Sequence, residues 1–275
     1  MEVKFSICNE LFEGWKLEDV FSFLADLGYD GIEIAPFTLS DDVRKIDKGE
    51  RLRIRELSET HNVKIVGLHW LLVTPKGLHI THPDPLVRKK TQDYLVELIK
   101  FNSDIGGTVL VFGSPKQRDV LEGVSRESAW KWAVEGFKRC SKVADDVGCI
   151  ITIEPLARHL TNFINTVDEA VKLIEDVNSD AFKLILDVYS MTDEKRPYSD
   201  IIRRGAKYLV HFHANDTNGL GPGFGEANYQ EIVDALRSIQ YKGYLSVEVF
   251  DFSLGARYIA SKSLENLKNL FCLNV

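Results

Sequence analysis

Short apolar runs rich in β-branched residues alternate along the chain with longer stretches whose apolar positions recur every three or four residues. The first run, residues 3–8 (VKFSIC), reads as a strand. Residues 17–27 then place Val20, Phe21, Leu24 and Leu27 on one helical face, and Gly28 follows as a natural C-terminal cap. The same rhythm gives strands over 31–35, 63–70, 108–112, 149–154, 183–187, 208–213 and 244–250. Between and after them, helical periodicity covers 50–62, 85–104, 127–147, 167–177, 199–205, 229–239 and 254–271. Pro85 opens the long third helix and Gly106-Gly107 follow its end, the positions where these residues cost a helix least.

Strands alternating with helices imply parallel pairing through right-handed crossovers. Eight such units of about 34 residues predict an α/β fold of one kind, a single (β/α)8 TIM barrel spanning 1–275 as one domain. The rival is an open doubly wound sheet, which would normally carry a glycine-rich phosphate loop after an early strand. The glycine-rich stretch 219–225 follows a late strand instead, and Pro222 interrupts it.

Composition narrows the function classes. Apolar residues are 44% and charged residues 27%, with 15 Phe, 9 Tyr and 4 Trp, enough for a large core and too apolar for disorder. No run of 18 apolar residues predicts a membrane span, and the first residues lack the pattern of a signal peptide. The net charge of −7 argues against nucleic acid or an anionic membrane as the main partner. Cys8, Cys140, Cys149 and Cys272 form no CxxC pair, so free thiols in a reducing cytoplasm are expected.

In a parallel barrel, chemistry gathers at the C-terminal ends of the strands. There the fifth strand delivers Glu154, the sixth Asp187, the seventh His213 and the eighth Glu248, each after apolar residues. One strand-end carboxylate is ordinarily a cap or a solvated loop residue. Several on successive strands would be costly to bury together without a compensating cation. Three carboxylates and an imidazole suit one divalent metal ion: Mn²⁺, Co²⁺, Mg²⁺ or Zn²⁺.

The pieces IEPLAR (153–158), FINTVDEAVKLIEDV (163–177), LDVYSM (186–191), HFHANDTNGLGPGFG (211–225) and IQYKGYLSVEVF (239–250) cover most of the second half. Together they resemble the xylose isomerase-like sugar isomerase and epimerase superfamily, nearest to its ketose 3-epimerase group. The first half matches in its rhythm and in GYDGIEI (28–34). The resemblance implies that Glu154, Asp187, His213 and Glu248 bind the metal, and that Glu154 and Glu248 also serve as the acid–base pair. The implied chemistry is a metal-stabilised cis-enediolate of a ketose or related keto-polyol. Proton return to the opposite face gives an epimerase, and return to the neighbouring carbon an aldose–ketose isomerase. The resemblance further implies a homodimer or homotetramer with a small carbohydrate substrate. Trp130-Lys-Trp132 and Phe250-Asp-Phe252 supply aromatic stretches outside the strands. Three positions depart from the group's pattern: Ser190 stands for a His, Leu160 for a Glu and Gly219 for an Arg, all of which grip substrate in the group.

Other residues are candidates for the substrate pocket: Arg158 in EPLAR, His69 at the end of the third strand, Trp15 in the first loop, Glu33 at the end of the second strand, Asn218 and Phe250. Arg158 could equally clamp a carboxylate, and Glu33 could be paired in the barrel wall. His211, two residues before His213, reads as a buried supporting histidine. His79 and His82 have HxxH spacing but lie in a polar loop, and Arg88-Lys89-Lys90 reads as a solvated helix face. Three other functions compete: a same-superfamily dehydratase of inosose or dehydroshikimate type, an endonuclease IV-like phosphodiesterase suggested by HANDT (213–217), and a non-catalytic sugar-binding barrel. The phosphodiesterase would need histidines that are absent near the sixth and seventh strands.

Overall fold

Alternation within each strand sets the architecture. In β1 (Lys4–Cys8), Phe5 and Ile7 join the main core, whereas Ser6 and Cys8 point the other way. The pattern continues through β2 (Gly31–Ile34), β3 (Lys64–Leu68), β4 (Val109–Phe112) and β5 (Ile150–Ile153). It ends with β6 (Phe182–Asp187), β7 (Leu209–Ala214) and β8 (Tyr244–Val247). A computed structural model describes residues 3–272. Residues 1, 2 and 273–275 of the expected domain, and the side chain of Cys272, lie outside the described residues. All eight strands are parallel and close in chain order, with β1 pairing both β2 and β8. The seam runs Lys4 to Tyr244, Phe5 to Leu245, Ser6 to Ser246 and Ile7 to Val247.

One face of the strands meets the helices in the main core. Val66, Val109, Val111 and Ile185 form a separate cluster inside the barrel, with Tyr244 packed against it. Register shifts interrupt the ladder between Ile32 and Glu33 and between Leu184 and Ile185. A bulge re-aims the side chains beyond it, and both precede residues of the polar cluster described below.

The outer layer comprises α1 (Leu17–Leu27), α2 (Lys48–His61), α3 (Pro85–Asp104), α4 (Arg126–Asp146) and α5 (Val167–Val177). It continues with the short α6 (Val188–Met191), then α7 (Tyr198–Gly205), α8 (Tyr229–Ser238) and α9 (Ala256–Cys272). The expected helical faces are the buried ones: Val20, Phe21 and Leu24 of α1 are buried, each contributing about 1.5–3 kcal/mol. Gly28 adopts φ +84° and returns its N–H to Leu24 and Ala25, ending α1. Asp47, Asp84, Ser125 and Thr166 cap the next four helices through side-chain oxygens.

Two local expectations need correction. α6 is an extra turn between the sixth strand and the next helix, created because Asp187 Oδ1 accepts the Ser190 N–H at 2.7 Å and so caps it. The last strand ends at Val247 instead of running to 250. Phe250 leaves the ladder because its N–H donates to Gly219 O at 2.7 Å.

Candidate metal centre and adjoining cavity

Asp187 ends β6 and pairs directly with His213, one residue before the end of β7. Glu154 and Glu248 each stand one residue beyond β5 and β8, where the backbone leaves the ladder and the side chains turn over the barrel mouth. The fold therefore converges four residues separated by up to 94 positions in sequence. One ligand-type atom from each lies within 4.8 Å of all the others, and all four residues are buried.

His213 sits at the hinge of this cluster. Its Nδ1 is 2.9 Å from Glu248 Oε2 and 4.0 Å from Glu154 Oε1, and makes no hydrogen bond. Its Nε2 faces Glu33 Oε1 and Oε2 at 3.3 and 3.4 Å. Glu33 also accepts from His211 Nε2 at 2.7 Å. Burial opposes a charged His213, but Glu248 and Glu33 on either side raise its imidazole well above the usual range. A bound metal would displace the Nδ1 proton while Nε2–H stays directed at Glu33.

The electrostatics point the same way. Burial, then the neighbouring Glu248 and Asp187, pushes the Glu154 carboxyl up to about 8. Burial and Glu248 push Asp187 up to about 6. Burial also opposes ionisation of Glu248, but the His213 and His69 imidazoles beside it outweigh that and hold it down at about 2. Burial likewise opposes a charged His69, yet Glu10 and Glu248 raise it to about 10. Carboxylates this close resist shared ionisation, and a divalent cation is the charge that would relieve them. The donor set and the unpartnered His213 Nδ1 fit a hard or borderline ion. Two further groupings, around Cys8, share Glu248 or His213 and so belong to the same cluster. Burial, then Glu33, pushes the Cys8 thiol well up, away from the thiolate that binds metals.

Several supporting residues were not singled out for the site by the sequence alone. Asn215 is fully buried; its Nδ2 donates to Asp187 Oδ2 at 2.5 Å and its Oδ1 accepts from Tyr189 N at 2.8 Å. Arg118, also fully buried, donates to Phe112 O and Ile164 O, bracing the end of β4 with its charge turned toward Glu154. Gly113 leaves the space that Glu154 fills, since a Cβ there would stand 2.5 Å from Glu154 Oε2. Glu10 Oε2 lies 2.9 Å from His69 Nε2. Buried Asp216 accepts from Thr217, Gly223 and Ala227 N–H groups and shapes the glycine-rich loop. The HANDT stretch was legible as a motif, but its Asn and Asp acquire roles only through these distant partners.

A cavity of about 350 Å³ opens above the cluster, lined among others by His69, Glu154, Asn218, Glu248 and Phe250. Leu160 and Gly219 also line it. Gly219 has φ +77°, a conformation that disfavours the arginine found there in the resembling group. Two expected pocket residues are elsewhere. Arg158 is half-exposed and pairs with Asp193 Oδ2 at 2.5 Å, in the single 3-10 turn Thr192–Glu194 that follows α6. Glu33 lies beneath the cavity with no exposed surface, held between the two histidines rather than reaching a sugar. Trp15 lines a neighbouring cavity, packed edge-on against Phe12. His79 and His82 pack against each other and join no candidate metal group among the described residues.

The Xylose isomerase-like TIM barrel family matches residues 21–270, and the chain belongs to that family. Its relatives are sugar epimerases. A D-psicose 3-epimerase of Ruminiclostridium cellulolyticum is 28% identical over 234 residues, covering 82% of this chain and 76% of the relative. An L-ribulose 3-epimerase of Mesorhizobium japonicum is 24% identical over 253 residues, covering 90% of this chain and 80% of the relative. A crystal structure of a D-psicose 3-epimerase in the presence of D-fructose superimposes with a TM-score of 0.86 at 23% identity, covering 98% of this chain and 99% of that one, a likeness of fold.

Proposed function

We propose that this protein is a divalent-metal-dependent epimerase of a ketose or related keto sugar, with Glu154 and Glu248 as its acid–base pair. The observation that carries the reading is the convergence of Glu154, Asp187, His213 and Glu248 within 4.8 Å beneath an open cavity. These four residues would hold the ion, which when bound supplies Lewis-acid polarisation of a substrate carbonyl. Asp187 is fixed by Asn215 and by the Ser190 N–H, which suits it to a purely ligating role. The two glutamates follow strands β5 and β8, separated around the barrel, and can approach a bound sugar from different sides. One carboxylate takes the proton from the carbon next to the carbonyl. The other returns a proton to the opposite face, and the configuration there inverts. His69 and Asn218 stand where they can bond sugar hydroxyls, and Phe250 where its ring can cover a sugar face. The relatives that act at carbon 3 of ketoses support that carbon as the one inverted.

The reading extends to one barrel domain working as a homodimer or homotetramer in the cytoplasm. The exposed Leu254 and Tyr258 support association, and the free, buried Cys8, Cys140 and Cys149 support a reducing compartment. Among the described residues, no helix is long and apolar enough to cross a membrane.

The test is incubation of D-fructose and D-psicose with the Mn²⁺- or Co²⁺-loaded protein in deuterated water, followed by NMR. Deuterium at carbon 3 with interconversion of the two sugars is expected. Loss of water would assign the dehydratase chemistry instead, and deuterium at carbon 1 an aldose–ketose isomerase.

A further inference from the structure

Beside the cavity over Glu154 and Glu248 lies a second one of about 770 Å³, roughly twice as large, built on the first loop and the residues after β2. The two are contiguous, because Trp70 and Phe250 line both. Trp70 forms this partition from a left-handed backbone, φ +52°, unusual for so bulky a residue, and its indole N–H is buried without a partner. Backbone conformations of this kind recur at ligand clamps and active sites.

The chemistry of the second cavity is specific. Its walls carry the rings of Phe12, Trp15, Phe37 and Phe252, with Glu10 and Glu13 as its acidic groups. The rings are held in place: Phe12 and Trp15 pack edge to face at 5.4 Å, and Arg257 stacks on Trp15 at 4.5 Å. The Glu10 side chain is largely buried, and its Oε2 pairs with His69 Nε2 of the first cavity at 2.9 Å. Neither cavity has a lysine or arginine among its described lining residues. Aromatic faces cover the apolar faces of a pyranose ring, and carboxylates accept from its hydroxyls. Glu10 and Glu13 are the charged groups among the lining residues of the second cavity, so an anionic group such as a phosphate would meet carboxylates there.

We propose that the substrate is an unphosphorylated keto sugar bearing a second, neutral ring, with the reacting sugar above Glu154 and Glu248 and the second ring, a glycosidically linked sugar, in the aromatic cavity. The inference rests on the epimerase reading, and it makes the partition of Trp70 and Phe250 the point over which the linkage passes. A single hexose fits within the smaller cavity of about 350 Å³ and leaves the larger one unused.

The test compares D-fructose, D-fructose 6-phosphate and two glucosyl-fructoses, maltulose and isomaltulose, by deuterium exchange at carbon 3. A higher kcat/KM, by tenfold or more, is expected for at least one disaccharide over D-fructose, with the phosphate ester the poorest. Phe37→Ala and Phe252→Ala truncate rim residues that are 38% and 39% exposed, so folding is not at stake. They should cost the disaccharide about tenfold in KM and leave D-fructose within twofold. Equal rates for all four sugars, or rejection of both disaccharides while D-fructose turns over, would overturn the inference and leave the epimerase reading intact. Preference for the phosphate ester would also overturn it. A change in sedimentation of the two variants without any change in disaccharide KM would do the same, assigning the rim to a subunit contact. Should no sugar exchange at all, the epimerase reading fails, and calorimetry still decides the cavity. Maltulose binding at least tenfold tighter than D-fructose, with the gain lost in Phe37→Ala, supports it, and equal or absent binding refutes it.

Discussion

His213 Nδ1 and Glu248 Oε2 lie 2.9 Å apart without forming a hydrogen bond. Two such atoms at this separation, with the opposite ring nitrogen turned to Glu33, could hold a metal ion between them in place of a proton. The pair therefore separates holding an ion from moving a proton. His213→Ala should weaken retention of Mn²⁺ or Co²⁺ in a chelator competition, with excess metal partly restoring turnover. Glu248→Gln keeps an oxygen at the same place but removes the base. It should retain metal while turnover falls at least about 10²-fold. Full turnover by Glu248→Gln and Glu154→Gln alike, at normal metal content, would rule out the two-glutamate mechanism.

Asn215 offers a test remote from substrate. Asn215→Ala leaves Asp187 Oδ2 and the Tyr189 N–H without their buried partner. Leaving such groups unpaired costs about 1–3 kcal/mol, which a denaturant titration measures. Loss of a residue that orients a ligand should also weaken metal binding by about 10–100-fold. Unchanged metal affinity in a destabilised variant would reduce Asn215 to a structural role.

Gly113 tests the space around Glu154. In Gly113→Ala the new methyl would meet the carboxylate, the movable end of a side chain, so the fold should survive and the carboxylate should shift. Turnover should fall by up to about 10²-fold, as misplacement of a reacting group does, with a melting curve close to that of the parent. Normal kcat would mean that Glu154 is tolerant of its position.

Glu194 supplies a pH test away from the centre. Burial raises its carboxyl from an ordinary 4.5 to about 7, and its Oε1 accepts from Val167 N at 2.8 Å. The folded state then binds the proton more tightly than the unfolded state. This group's contribution is full below about pH 4.5 and is lost as pH rises through about 7. Glu194→Gln keeps the acceptor and cannot ionise. Its melting temperature relative to the parent should climb between those two pH values and level off above them. A difference independent of pH would show that Glu194 titrates normally.

Helical periodicity was legible to the residue for α1, α3 and α5, because each has one continuous apolar face and a clear stop or start: Gly28, Pro85 and Asn178. The barrel and the four clustered side chains were legible because strand ends in a parallel barrel share one rim. What the sequence hid depends on partners far along the chain. Glu33 looked like any strand-end carboxylate, and only closure of the barrel brings His211 and His213 of the non-neighbouring β7 to it. Arg118 and Asn215 lie in loops whose polarity suggests solvent, yet both are fully buried. Arg158 failed in the opposite sense, since nothing local reveals that Asp193 draws it outward.

The seam between β1 and β8 orders events during synthesis. Glu154, Asp187 and His213 emerge from the ribosome before Glu248, the last of the four, and Glu248 takes its place only when β8 docks on β1 and β7. Glu33, which turns His213, comes from the other side of the same closure. A nascent or clipped chain thus carries an incomplete set, and tight metal capture, if the four residues hold an ion, would certify that the ring has shut.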